Sequence, residues 1–212
     1  MKTKKISKIK TLVQTYLLEN YKKYILVIVV FLIGILAGVI IVNNSSEETN
    51  IKIINYINEF IERFKIIERI DSNELIVTSV KNNIMLACVL WFAGTTVIGI
   101  LAVFFIIFLR GLALGYTISA FSYVLGTIKG IFFSILALFL QNILFIPAIL
   151  TIGVSSIKLY KSILKDRRKE NIKLEIVKHT IISAIMLAIL VVSSFIENGV
   201  SFIILQKMIK YF

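Results

Sequence analysis

The chain has 212 residues, 58% of them hydrophobic, and a net charge of +12. That apolar share lies above the roughly 45–50% of soluble domains, and with one Pro and ten Gly little is left for linkers or low-complexity segments, so a soluble or disordered chain is excluded. A single cysteine, Cys88, excludes an intramolecular disulfide and reads as a small buried hydrophobe.

In chain order, Met1–Tyr24 is basic, with seven Lys against Glu19, and could form a short amphipathic helix. The apolar segment at residues 24–42 is longer than the 7–15-residue core of a signal peptide and ends in IIVNNSS, without a small-x-small cleavage site, so it reads as a first membrane helix. Gly34 and Gly38 form a G-x-x-x-G pair that permits close helix approach. Residues 51–70 carry apolar positions at spacings of three and four (Ile53, Ile57, Phe60, Ile61, Phe64, Ile67) interleaved with Glu59, Glu62 and Arg63, the pattern of an amphipathic helix. It either lies on the membrane surface or offers a docking face to another protein, with Ile57, Glu59, Phe60, Glu62, Arg63 and Phe64 as the candidate partner contacts.

From Ile84 to Tyr160 the chain is almost continuously apolar, interrupted by Arg110, Lys129 and Lys158. Spans are expected at 84–109, 112–128, 131–156 and 177–196, with breaks at Arg110-Gly111 and Lys129-Gly130. Residues 112–128 are rich in small and hydroxyl side chains, which suits a helix buried among helices; a re-entrant segment is the competing reading. The expected span at 131–156 holds Gln141, Asn142 and Pro147 where hydrocarbon should be. The amide pair can lock this helix to its neighbour through Tyr116, Ser119 or Ser122, or line a cavity; Pro147 frees the carbonyl of Ile143 and invites a kink. Arg110 reads as an interfacial, snorkelling residue, with an inward-facing site as the alternative. Together Arg110, Gln141, Asn142 and Pro147 form the candidate intramembrane polar cluster. His179 stands at a basic membrane border and reads as interfacial rather than as a switch. Residues 197–212 close the chain with a short amphipathic piece.

The fold class expected is therefore all-α: a polytopic membrane helical bundle of about five transmembrane helices plus short amphipathic helices, residues 1–212 forming one integral membrane domain. With the N-terminus in the cytoplasm, sixteen of the 24 Lys and Arg face the cell interior, including Arg110 and eight residues between 157 and 178. The outer segments then carry as many acids as bases, as the positive-inside rule asks, and the C-terminus is extracytoplasmic. Anionic lipid headgroups account for the basic loops, so no nucleic-acid partner is implied.

Trp91-Phe92-Ala93-Gly94, then Phe108-Leu109-Arg110-Gly111-Leu112-Ala113-Leu114-Gly115, then Leu140-Gln141-Asn142-Ile143-Leu144-Phe145-Ile146-Pro147-Ala148 resemble the stage II sporulation protein M family over nearly the whole chain. Broader relatives outside sporulating organisms tend to carry His and Glu where this chain has Gln141 and Phe145, and the departure favours the sporulation branch. The resemblance implies an integral membrane component of the engulfment machinery at the sporulation septum. Its implied role is to anchor or recruit two peptidoglycan-remodelling partners, a cell-wall amidase/endopeptidase and a lytic transglycosylase.

No catalytic arrangement is found. There is no H-E-x-x-H, no second His for a metal site, no nucleotide fingerprint, and no Asp or Glu in any expected span. The expectation is a non-enzymatic scaffold without cofactor or metal; a small transporter or channel is the alternative, and self-association is left open.

Overall fold

Two threonines decide where the second span ends. Thr95 donates its hydroxyl to the carbonyl of Phe92 at 2.7 Å, and Thr96 donates to the carbonyl of Ala93 at 3.1 Å while accepting the Gly99 N–H at 3.0 Å. Side-chain bonds of this kind satisfy carbonyls that a continuing helix would have used, and so stabilise a turn. The chain breaks here and not at Arg110-Gly111.

The structure, a computed structural model, describes residues 2–66, 72–165 and 169–196. Six helices run through them: α1 (Lys2–Asn43), α2 (Glu47–Ile66), α3 (Ser72–Gly94), α4 (Gly99–Leu125), α5 (Thr127–Lys165) and α6 (Lys169–Ile196). The fold is all-α, with no strand among the described residues. Among the described residues, five stretches are long and apolar enough to cross a membrane: Gln14–Asn43, Ile76–Gly94, Gly99–Leu125, Asn142–Leu164 and Ile172–Ile196.

The count of five agrees with the sequence reading, but the helix ends differ. Residues 84–109 and 112–128 do not form separate helices, because the helix that starts at Gly99 runs through Arg110 to Leu125. The next break falls at Gly126, whose φ of 86° is the left-handed conformation glycine adopts without strain. Lys129 and Gly130 lie inside α5. The basic N-terminus is not a separate short helix but continues unbroken into the first span as α1. At 39 residues α5 is about 58 Å long, well beyond the roughly 30 Å hydrocarbon layer. It continues through Pro147 as one helix. The expected C-terminal amphipathic piece, residues 197–212, lies outside the described residues.

The relative directions of the helices are fixed by their contacts. α1 and α4 run parallel: Gly34 lies against Phe108 and Gly38 against Leu112, while Gly111 lies against Phe31 and Gly115 against Ile35. α3 runs opposite to α6, since Asn83 reaches Leu190 and Ser194 whereas Trp91 reaches Thr180. α5 runs opposite to α1, since Tyr24 meets Thr151 and Tyr16 meets Lys158, and opposite to α6, since His179 meets Ser155 and Glu175 meets Lys158. Thus α1, α4 and α6 point one way, and α3 and α5 the other.

Two apolar clusters hold the bundle. The larger joins Val27 and Phe31 of α1, Leu86 and Leu90 of α3, Val103 and Ile107 of α4, and Ile149 and Ile152 of α5. The smaller, at the other end, packs Ile53, Ile57 and Ile61 of α2 against Val42, Ala120 and Phe133.

Candidate functional site

On α4 the residues Phe108-Leu109-Arg110-Gly111-Leu112-Ala113-Leu114-Gly115 present two faces. A methyl group on Gly111 would collide with the Phe31 carbonyl, and one on Gly115 with the Ile35 carbonyl. Reciprocally, methyls on Gly34 and Gly38 of α1 would strike the carbonyls of Phe108 and Leu112. Four glycines therefore allow backbone-to-backbone contact along the α1–α4 seam, with each helix's carbonyls aimed at the other's glycine Cα groups, the geometry of Cα–H···O contacts. The sequence had shown Gly34 and Gly38 as a packing hint and Gly111 and Gly115 as a motif; the fold brings the two together. Farther along the seam, Ser119 donates to the Asn43 side-chain oxygen at 3.3 Å.

The opposite face of α4 lines a cleft. Arg110, Ala113, Leu114 and Thr117 meet Asn82, Asn83 and Leu86 of α3 and Asn142 and Phe145 of α5 around about 510 Å³. Arg110 is the twelfth residue of α4, roughly 16 Å from the helix start and so near its middle. It is not an interfacial residue beside a turn. A charge at the centre of a membrane helix costs about 2.5–3.5 kcal/mol on insertion scales, which is why such residues face bundle interiors or cavities. Here the guanidinium carbon lies 5.4 Å from the Phe145 ring centroid, a cation–π distance.

Asn142 shares this cleft, and its amide N–H bonds the Leu138 carbonyl one turn back at 2.8 Å. The expected lock to Tyr116, Ser119 or Ser122 is not formed by Asn142: Ser119 bonds across to α1, and Ser122 bonds its own helix at the Ile118 carbonyl. The side chain of Gln141 lies outside the described residues. Pro147 is not in the cleft; its carbonyl accepts the Thr151 hydroxyl at 2.7 Å. Of the expected intramembrane cluster, then, the fold gathers Arg110 and Asn142 and adds Asn82, Asn83 and Thr117. The amides of α3 were missed because the Asn82-Asn83 pair stands just before the expected second span at residue 84, where it reads as a loop.

Asn83 is buried and donates to the Leu190 carbonyl at 3.1 Å and to the Ser194 hydroxyl at 2.7 Å, which holds α3 on α6. A second polar knot sits at the other end of the bundle. His179 is 1% exposed, not interfacial. Its Nδ1 is 2.9 Å from Ser155 Oγ and its Nε2 3.3 Å from the Trp91 carbonyl, so it joins α6 to both α5 and α3. Gly94 leaves room for it, since a methyl there would meet His179 and Ser156. Around this knot Glu175 pairs with Lys178 at 2.7 Å and stands 3.9 Å from Lys158.

The remaining candidate, α2, is split along its length. Ile57 is 3% exposed and Phe60 is half-buried, edge-on to Phe121 with ring centroids 6.0 Å apart. Their face therefore meets the bundle and is not offered to a partner. Glu59 and Glu62 are exposed on the other side, together with Asn55, Tyr56 and Asn58. The side chains of Arg63 and Phe64 lie outside the described residues. No group of three or more metal-ligating side chains occurs among the described residues.

These helices define a multi-pass helical membrane protein. The chain belongs to the stage II sporulation protein M family, whose profile matches residues 27–201. That match takes in the glycine seam, the cleft and α2. No curated protein and no solved structure matches the chain.

Proposed function

We propose that this chain is a non-catalytic membrane anchor of the engulfment machinery in sporulating cells. It holds a cell-wall amidase/endopeptidase and a lytic transglycosylase at the septal membrane. Family membership supplies the sporulation setting. The observation that carries the anchoring role is the division of α2. Ile53, Ile57 and Ile61 are committed to the bundle, yet Tyr56 remains 72% exposed and Ile51 57% exposed beside the acids. An exposed tyrosine among Asn55, Asn58, Glu59 and Glu62 suits a protein contact, because interface cores favour aromatic side chains that keep a polar tip.

The orientation that puts α2 outside rests on the basic N-terminus and the basic 157–178 segment facing the cytoplasm. Arg110 no longer contributes to that bias, since the α3–α4 turn, Thr95–Ile98, carries no charge.

Pull-down of the intact protein from sporulating cells tests the proposal. Tyr56→Asp and Glu62→Lys are expected to release both hydrolases while the chain still inserts. Co-purification that survived both changes would remove α2 as the docking face. Phe60→Asp is not a clean probe, because it would also unseat α2 from Phe121. The cleft favours a second reading, a small transporter; solute flux in proteoliposomes that vanished with Gln141→Leu or Asn142→Leu would support it.

A further inference from the structure

Among the described residues, the cleft on α4 holds one cation and no acid. Its walls supply Arg110, the amides of Asn82 and Asn142, and the hydroxyls of Ser79 and Thr117. No Asp or Glu occurs from residue 75 to residue 165, so none of the three helices that build the cleft brings a carboxylate to the guanidinium at this depth. Asn83 is committed to α6, which fixes the α3 wall, and the Phe145 ring holds the guanidinium from the α5 side.

We infer that this cleft is a binding site for a phosphate-bearing anion, with Arg110 as the countercharge. Three features point there. The first is charge: a guanidinium held in low dielectric is neutralised most effectively by an anion, and its planar fork matches phosphate oxygens in pairs. The second is donor type: the amides of Asn82 and Asn142 can address further oxygens, and a phosphate group offers several where a carboxylate offers two. The third is size. A space of about 510 Å³ lies within the range of small-ligand sites and exceeds a single carboxylate, yet is too small to seat another membrane helix. The phosphate can belong to a lipid headgroup or to a soluble ion. The site stands apart from the docking face on α2, and neither proposal needs the other.

The test uses the full-length protein in detergent. Native mass spectrometry reads retention of added phosphatidylglycerol, and calorimetry reads binding of inorganic phosphate. The basic loops attract anionic lipid on their own, so the readout is the difference between wild type and Arg110→Gln. Wild type is expected to bind about tenfold more tightly than Arg110→Gln, with Arg110→Lys between them. Asn142→Leu, which keeps the charge, is expected to weaken binding about threefold. Arg110-dependent retention of phosphatidylglycerol assigns the site to a lipid headgroup. Arg110-dependent binding of inorganic phosphate alone assigns it to a soluble ion. If Arg110→Gln does not fold, Asn142→Leu and Asn82→Leu carry the decision. Lipid and phosphate binding unchanged from wild type in every folded variant overturns the inference.

Discussion

The α1 side of α4 and its α3–α5 side differ in what lies between the helices. Toward α1 there is nothing: Gly111 and Gly115 let the backbones touch, and carbonyls of one helix rest on glycines of the other. Toward α3 and α5 there is a space of about 510 Å³ with a cation in it. Arg110 and Gly111 are neighbours in sequence, yet a rotation of about 100° per residue assigns them to opposite arrangements. Within a bilayer no hydrophobic force drives helices together, so they associate by close packing or by polar contact. One face of α4 uses the first means, which leaves the other free to keep a cavity open.

This contrast can be broken from either side, and the effects should not be equal. The largest is expected in the seam. Gly115→Leu places a side chain on the Ile35 backbone, where no rotamer change can relieve it. A loss of about 3 kcal/mol, the upper end for overpacking, should appear as failure to accumulate folded protein or a large fall in thermal midpoint. Next is the knot at the other end of the bundle. His179→Leu takes the imidazole from the buried Ser155 hydroxyl and leaves the Trp91 carbonyl with only the Thr95 N–H, and should cost about 1–3 kcal/mol by the same assay. Smaller again is Asn83→Leu, expected to cost about 0.6–1.7 kcal/mol, from the mean to the maximum measured for hydrogen bonds between membrane helices. The smallest effect belongs to the cleft. In anion-free detergent Arg110→Met should leave the fold as stable as wild type or up to about 1 kcal/mol more stable, since it removes a charge held near the helix centre. If Arg110→Met were instead as damaging as Gly115→Leu, the cleft would be part of the scaffold and the contrast would be lost.

Much of this was legible in the sequence. Five apolar stretches, the amphipathic pattern of α2 and the Gly34–Gly38 pair can all be read without coordinates. The helix ends could not, for a definite reason. Arg110 was read as a boundary because charge usually marks the edge of a membrane span. The true break depends on Thr95 and Thr96, whose hydroxyls bond back to Phe92 and Ala93, and threonine is too common in membrane helices to mark a turn. Moving that one break carries Arg110 from a loop to mid-helix. It also brings Asn82 and Asn83 inside α3. The fate of α2 was hidden for another reason: periodicity shows that a face is apolar but not what covers it. Ile53, Ile57 and Ile61 rest on Ala120 and Phe133, contacts distant in sequence. The burial of His179 is of the same kind, since it depends on the space Gly94 leaves on a different helix.

The parallel seam between α1 and α4 underlies both faces, and disulfide cross-linking tests it most directly. In a Cys88→Ala background, Asn43→Cys combined with Ser119→Cys should link within one chain under mild oxidation, because the side chains they replace are in hydrogen-bond contact at 3.3 Å. Asn43→Cys combined with Leu101→Cys, near the opposite end of α4, should not. A bond in the second pair and none in the first would mean that the two helices run antiparallel, and a bond in neither would mean that they do not meet. The glycine seam and the cleft behind it would then both be wrong.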